Sequence, residues 1–500
     1  VDGQVSGDET AVAEGPPAAS PGGGAAAPGR PGPGDRPHAR LPAVFAALFA
    51  ALYCVHSLMR HALLRSTGYD LGIFEQAVRG YAEFRAPIVP LKEPGFHLLG
   101  DHFHPWLAAL GPLYRLWPDA RLLLVVQAVL IAVSVVPVGR LAIDRLGVRS
   151  GVAVMVAYGL SFGLQGAVAF DFHEIALAVP LLAFAMVALV EERWRAAALW
   201  TLPVLLVKED MGLVVAAVGA YLLLRRRWRL GAAMLGGGFA AIAVIVLVLI
   251  PLWNPKGYAY FGSVSGGGMV HGSPGAGGDL LGTLLGFPAS LVEHPQKLWL
   301  LWMLGVVTAF AALRSPITLI ALPLVGYRLV STIPLHWSTE RVHYNAILMP
   351  ILFVALVDAV VRMRGGARRP VRTYARFAVP AALAISLVSL PGTEFGKMFS
   401  PSFWTTTPHV TAARQVLAMV PDDARVAASN FLAPQLTGRA EVVLFPNVTR
   451  APMDWVVVDT RRPSVVPVPP DQIPAAIAAL PGQGFRLVAD RDGVQLWHRR

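Results

Sequence analysis

The sequence predicts a polytopic α-helical membrane protein carrying a small C-terminal α/β domain, and three observations predict it. Of the 500 residues, 55% are hydrophobic and only 15% charged, where a soluble domain runs nearer ~45–50% and ~25%; mean hydropathy is +0.55. The apolar residues gather into runs of span-like length separated by short basic clusters. After residue 391 that pattern stops, and short strand-like and helix-like stretches alternate.

Residues 1–40 are rich in Pro, Gly and Ala without periodicity, so a disordered cytoplasmic tail is expected. They lack the basic-then-apolar start of a signal peptide, and the first apolar run is expected to stay as a signal anchor. A helix needs about 20 residues to span a bilayer, within a range of ~17–25. Eleven runs qualify as spans with blurred ends: 41–59, 121–143, 150–169, 175–190, 194–207, 211–224, 230–253, 298–313, 315–333, 344–361 and 377–391. The shorter ones are expected to be completed by polar neighbours that line a cavity. Segment 105–117 (PWLAALGPLYRLW) is too short and too Pro-broken to span and is expected to be re-entrant or interfacial. The one cysteine, Cys54, excludes an intrachain disulfide framework and a multi-Cys metal site.

A net charge of +11 would suggest nucleic acid in a soluble protein. Here the basic residues cluster between apolar runs and set topology instead. The clusters are Arg30, Arg36 and Arg40; Arg140, Arg145 and Arg149; Arg193 and Arg195; Arg225 to Arg229; Arg314; and Arg362 to Arg376. With the first in the cytoplasm, alternation through eleven spans puts every later cluster there too, which predicts N-terminus in and C-terminus out. The same alternation puts the polar connectors outside: a large first loop 60–120, then 171–174, 208–210, 254–297, 334–343 and everything after 391. Connectors as long as the first are usually functional.

The loop 254–297 holds a glycine run that resembles a phosphate loop only superficially, since no Gly-Lys-Ser/Thr follows. A flexible loop able to act as a lid is expected. In 392–500, helices are predicted at 408–419 and 471–480, and strands at 424–428, 441–445, 455–459, 485–490 and 494–498. Asp492-Gly493 is a hairpin turn between the last two. Asn447-Val448-Thr449 matches a glycosylation sequon.

Several polar groups are candidates for chemistry. Lys208, Glu209 and Asp210 stand together between apolar runs; at mid-membrane they would cost roughly 8–10 kcal/mol if additive, so they form a surface turn, face a wet cavity or pair. Asp171, His173 and Glu174 form either a plain turn or part of a metal site. Asp101, His102 and His104 offer a His-x-His pair, a metal site or a solvated interfacial pair. Glu340, Arg341, His343 and Tyr344 precede a span, and arginine suits bidentate contact with phosphate. Asp70, followed by an amphipathic pattern containing Glu75, is a helix N-cap, a catalytic carboxylate or both.

The motifs YDLGIFEQA, GDHFHP, AFDFHEIALAVPLLAFA, VKEDMGL, HYNAILMPILF and VPDDARVAASNFLAPQLTGRAEVVLFP with DWVVVD occur in order over about residues 41–500. Together they resemble the uncharacterised bacterial family known as domain of unknown function 2079. More distantly, the layout is similar to the GT-C class of glycosyltransferases: many spans, a long first outer loop bearing a catalytic Asp, and often an outer C-terminal domain. That resemblance implies Asp70 as base, a polyprenyl-phosphate-linked sugar as substrate, and either no metal or a divalent cation. The clear Asp-Glu or Asp-x-Asp pair of better-known members is missing from this loop.

The leading expectation is therefore a plasma-membrane protein that moves a sugar from a lipid carrier at the outer face. Asp70 would serve as base, and Lys208, Arg341 or His343 would hold the leaving phosphate. Membrane lipid is an expected partner and nucleic acid is not. A transporter or flippase is the alternative, although internal repeats are missing and the polar motifs gather at one face. A surface binding protein anchored by its spans would leave the charges near the middle spans unexplained.

Overall fold

The computed structural model describes residues 38–258, 260, 280–448, 452–463 and 469–500. The expected tail before residue 38, the glycine run and Thr449 of the sequon lie outside the described residues. Each of the eleven apolar runs contains helix. In chain order the helices are α1 (Leu41–Ala62), α2 (Ile73–Ala82) in the long loop that follows it, α3 (Ala120–Leu146), α4 (Val148–Ala169), α5 (Glu174–Val190), α6 (Trp194–Leu206), α7 (Gly212–Leu224), α8 (Trp228–Trp253), α9 (Leu280–Glu293), α10 (Pro295–Val306), α11 (Pro316–Val330), α12 (His343–Arg364) and α13 (Arg369–Gly392). Among the described residues six are long and apolar enough to cross a membrane: α1, α3, α4, α8, α12 and α13. The run expected at 298–313 is interrupted, because helix α10 ends at Val306 and both Ala309 and Phe310 take positive φ.

Helix α12 is the axis of the bundle. Its best window is 89% buried, against 28% for α8 and α13, which present apolar surface outward. It packs on α3, α5, α11 and α13, and its end carries Asp358, which accepts from Ser315 Oγ at 2.6 Å and pairs with Arg362 at 2.7 Å. Helices α7 and α8 lie backbone to backbone: a Cβ on Gly219 would sit 2.3 Å from the Leu235 nitrogen, the small-residue packing that apolar helices use where no hydrophobic force separates them from lipid.

The C-terminal part begins with α14 (Pro408–Leu417) and continues through β1 (Arg425–Ala428), β2 (Glu441–Leu444), β3 (Trp455–Asp459), α15 (Gln472–Ala479), β4 (Phe485–Arg491) and β5 (Val494–Arg499). The sheet order is β2-β1-β3-β5-β4. The first three strands are parallel, and β5 runs antiparallel to both β3 and β4. Asp492 and Gly493 both adopt positive φ at the β4–β5 turn, as a two-residue hairpin requires. Side chains alternate across the sheet. Val443, Val456, Val458 and Trp497 pack toward α15. Val426, Val442, Val457 and Leu496 pack the other way, into one core with Leu71, Phe74, Val78, Leu107 and Leu123.

That shared core fastens the long loop after α1 to the sheet. Hydrogen bonds tie the same two pieces: the Gly68 N–H donates to the Asn430 carbonyl at 2.7 Å, the Tyr69 N–H to Asn430 Oδ1 at 2.8 Å, and Gln76 Nε2 to the Val442 carbonyl at 2.8 Å. Glu75 is fully buried at this seam, accepting from Thr437 Oγ1 and, at 2.8 Å, from Tyr114 OH. Burial pushes its carboxyl up to about 7, against the two hydroxyls that favour the charged form.

Two predictions follow from the seam. With an unfolded value near ~4.3 and a raised folded one, the native state keeps a proton that the unfolded chain has lost, so the Glu75 contribution to stability falls as pH rises from ~4.3 to about 7 and is flat above. Glu75→Gln should remove that slope in thermal unfolding of the detergent-solubilised protein; a slope unchanged in the variant would contradict it. At Gly68, an added Cβ would lie 2.7 Å from Ala433 Cβ. Gly68→Ala should cost about 1–3 kcal/mol by overpacking, and Ala433→Gly should restore most of it; two simply additive losses would show that the contact is not the cause.

Candidate functional site

The site is built on the turn Gly68–Gly72, held from outside by Asn430. Asp70 sits there at φ 135°, ψ −73°, a backbone region that L-residues rarely occupy. Such strain costs about 1–3 kcal/mol and persists where surrounding structure enforces it. Its half-buried carboxyl is raised well above the usual range, first by burial and then by the neighbouring carboxylates of Asp171 and Glu174; the ammonium groups of Lys92 and Lys208 pull the other way.

Around it gathers a largely buried charged cluster from five connectors. Lys92 pairs with Asp101 and lies 5.9 Å from the Tyr69 ring and 5.5 Å from that of Phe96; Lys92 holds the Asp101 carboxyl below its ordinary range against the effect of burial. Lys208 Nζ is 3.5 Å from Glu174 Oε1. Burial alone would lower this ammonium, but Glu174, Asp210 and Glu209 more than offset it, and Lys208 stays firmly charged. Glu209 accepts from the Phe103 N–H at 3.1 Å and from Tyr258 OH at 2.8 Å, and its Oε1 is 2.7 Å from His102 Nδ1. Despite its burial, His102 and Lys208 draw its carboxyl down to about 2. Asp210 goes the other way, to about 6, chiefly by burial.

A histidine layer continues the cluster. His173 Nδ1 is 2.7 Å from Glu174 Oε2, and its ring stacks on His343 with centroids 3.4 Å apart. Tyr344 lies 4.0 Å from the His343 ring on its other edge, and Arg328 lies 5.7 Å from the Tyr344 ring. Asp171, at φ 89°, accepts from the Thr67 N–H at 2.9 Å and from its hydroxyl at 3.2 Å, on the side toward Arg60. Several buried polar atoms here make no hydrogen bond to a described residue: both ring nitrogens of His343, one guanidinium nitrogen each of Arg60 and Arg328, and Oδ1 of Asp210.

Of the residues singled out in the sequence, Asp70, Asp101, His102, His104, Asp171, His173, Glu174, Lys208, Glu209, Asp210, His343 and Tyr344 belong to this cluster or its electrostatic field. His104 is buried against the edge of Phe74, at a centroid distance of 5.9 Å, with burial lowering it to about 4. His102 pairs instead with Glu209, and His104 meets it and Glu174 only through their charges. Asp171 and His173 likewise face different partners. Among the described residues no three His, Cys, Asp or Glu side chains converge as a metal site. Glu75 lies at the seam with the sheet. Arg341 is half exposed at the rim, its Nε 3.9 Å from Glu394.

Sequence reasoning did not single out Asn430, Arg60, Arg328 or the tyrosines Tyr258 and Tyr260. Tyr260 stacks on His102 at 4.5 Å and donates to Asp101 at 3.2 Å. The GYAY motif in the connector 254–297 was a usable signal, since two aromatics beside a glycine run are out of place in a plain linker. Asn430 offered none, because its partner is 361 residues away.

The fold is similar to that of a crystal structure of ArnT from Cupriavidus metallidurans bound to undecaprenyl phosphate, with 13% sequence identity, a TM-score of 0.53, and coverage of 92% of this chain and 98% of that one. The apo-state crystal structure of the same protein gives 13% identity, a TM-score of 0.50, and coverage of 91% and 97%. At that identity the likeness shows the fold alone. No curated protein matches the sequence. Residues 60–496 match the model of the family described as predicted membrane protein, DUF2079. Since that match runs from the foot of α1 to β5 and takes in the whole charged cluster, the chain belongs to the DUF2079 family of membrane proteins.

Proposed function

We propose that the protein is a glycosyltransferase of the plasma membrane, taking a sugar from a polyprenyl-phosphate carrier and placing it on an acceptor hydroxyl at the outer face. The observation that carries this reading is Asp70: a half-buried carboxyl of raised proton affinity, held on strained backbone within the field of two buried ammonium groups. The fold likeness supports it, because the similar ArnT structure holds undecaprenyl phosphate, which is a polyprenyl phosphate. Eleven spans, an inner N-terminus, a transmembrane domain 41–391 and an outer domain 392–500 belong to the same proposal. The Arg clusters support that sidedness, with Arg193, Arg225 and Arg362 each one helix away from the connectors that build the site.

In this reading the acceptor oxygen attacks the anomeric carbon while its proton passes to an Asp70 carboxylate oxygen. The bond from the anomeric carbon to the phosphate oxygen breaks, and the leaving polyprenyl phosphate keeps the electron pair. Lys208, with Arg341 at the rim and His343 behind, offsets the charge that grows on that phosphate. The partnerless polar atoms of Arg60, Arg328 and His343 suit a ligand rich in oxygen. Burial and like charge raise Asp70 toward the working pH, where a general base is most effective.

Three outcomes are expected of protein reconstituted with radiolabelled polyprenyl-phosphate sugars. Transfer should rise with pH on a limb set by Asp70, above the ordinary Asp value near ~3.9. Asp70→Asn, nearly isosteric with the aspartate it replaces, should fold, lose transfer by about 10²–10⁴-fold and lose that limb. Arg341→Ala should lower transfer about tenfold while leaving thermal stability within about 1 kcal/mol, because the Arg341 side chain is half exposed, its contact with Glu394 is long at 3.9 Å, and Glu394 keeps Lys397 at 2.6 Å. Vesicle uptake or lipid scrambling without any transfer would replace this reading by transport. Sidedness is tested separately on a Cys54→Ala background: an impermeant thiol reagent added outside should reach Arg341→Cys and not Arg314→Cys.

A further inference from the structure

Away from the Asp70 cluster, α9, α10 and residues 330–337 enclose a half-open cavity of about 470 Å³, within the ~300–1,000 Å³ typical of small-molecule sites. Its lining is mostly apolar, from Phe287, Pro334 and Trp337, with a few convergent polar groups from Ser290, His294 and Lys297. Lys297 is the unusual member. It is only 3% exposed, donates to Ser290 Oγ at 3.1 Å, and lies 4.4 Å from the Trp337 ring centroid. Among the described residues no carboxylate pairs with it; the nearest acidic influence is the exposed Glu293. Buried ammonium groups are ordinarily paired, and elsewhere in this protein they are, as Lys92 is with Asp101 and Lys208 with Glu174.

The surroundings say what kind of anion would complete it. Just beyond Lys297, α10 presents Leu298, Trp299, Leu301 and Trp302 outward, all at least 40% exposed. Two tryptophans beside aliphatic residues on an outward helix face are the composition of a membrane interface. A ligand seated at Lys297 therefore has an apolar surface at hand for a chain. His294, with its ring 4.7 Å from that of Trp337, adds a second donor at the mouth.

We infer that this cavity is a second docking site, for the phosphate head of a membrane lipid, with Lys297 and His294 on the phosphate and the α10 face under the chain. It does not depend on the transferase reading. The wall it shares with the first site is short: Trp337 Nε1 donates to the Ser331 carbonyl at 3.0 Å, Ser331 Oγ is 2.7 Å from His336 Nδ1, and the His336 ring lies 4.9 Å from that of Tyr344 in the charged cluster. A lipid bound behind Trp337 is thus one layer of side chains from the Asp70 site.

The test is photoaffinity labelling of the full chain in detergent micelles with a diazirine-bearing fifteen-carbon isoprenyl phosphate, followed by peptide mapping. Label is expected on peptides spanning 286–297 and 330–337. Unlabelled isoprenyl phosphate should protect them, whereas a large excess of inorganic phosphate or of isoprenyl alcohol should not. Lys297→Met should cut that label about tenfold, the worth of one charge-assisted hydrogen bond. Gly286→Phe provides a variant independent of the lysine: nothing lies within 4 Å of a Cβ built there, so a ring at the cavity mouth should fold and exclude the probe. Lys208→Ala should leave these peptides labelled. Absence of label there, or label unchanged in both Lys297→Met and Gly286→Phe, overturns the site. Protection by inorganic phosphate alone overturns the lipid assignment, and equal labelling by an isoprenyl alcohol probe overturns the role of the phosphate.

Discussion

The end of the protein that carries the charged cluster depends on two backbone N–H groups, those of Gly68 and Tyr69, being taken up by one residue, Asn430. The turn they belong to places Asp70 at φ 135°, which an isolated loop would relax. Two hydrogen bonds contribute about 0.5–1.5 kcal/mol each, comparable with the ~1–3 kcal/mol of strain. The decisive part is the apolar core behind them, where Leu71 and Phe74 pack with Val426, Val442 and Leu496. The C-terminal sheet is thus half of the scaffold that holds the turn, since the loop has no sheet of its own to lie on.

The second constraint is electrostatic. Lys92, Lys208, Glu174, Glu209, Asp101 and Asp171 are all mostly removed from water, where a single unpaired charge costs several kcal/mol. The cluster survives because signs alternate: Lys92 against Asp101, Lys208 between Glu174 and its own neighbours Glu209 and Asp210, His102 against Glu209. Pairing leaves the acids unequal. Glu209, served by His102, Tyr258 and a backbone N–H, is held ionised. Asp70 and Asp210, short of such partners, are driven toward the protonated form. Environments that push neighbouring carboxyls apart in this way divide acid and base roles within one site.

The bundle serves these two requirements. Helix α12, buried on all sides, carries His343 and Tyr344 at the end that faces the cluster. The shorter helices α5, α6 and α7 stop at 174, 206 and 212, and the groups between them, Glu174 and Lys208 to Asp210, meet in the space left over. A full-length span at those positions would have carried the same residues past one another. The interruption of α10 at Val306 has the same character: its Gly305 is covered by Phe310, whose positive φ turns the chain back on itself.

Much of this was legible in one dimension because it rests on short-range rules. Apolar runs of the right length located the bundle helices except α9, which occupies part of the connector 254–297 expected to be a flexible loop; strand-like apolar runs located the five strands among the described residues, and Asp492-Gly493 located the hairpin, since such patterns are properties of neighbours. The grouping of Asp70 with Asp171, His173, Lys208 and His343 was approachable through side-counting of connectors. What the tertiary structure alone decided is pairing at long range. Glu75 went to the seam instead of the cluster, His104 and His102 went to different partners, and Asn430 was brought to the turn before Asp70, onto Tyr69 from 361 residues away. The strained backbone at Asp70 was invisible for the same reason: an aspartate adopts it only where packing by distant segments forbids every easier conformation.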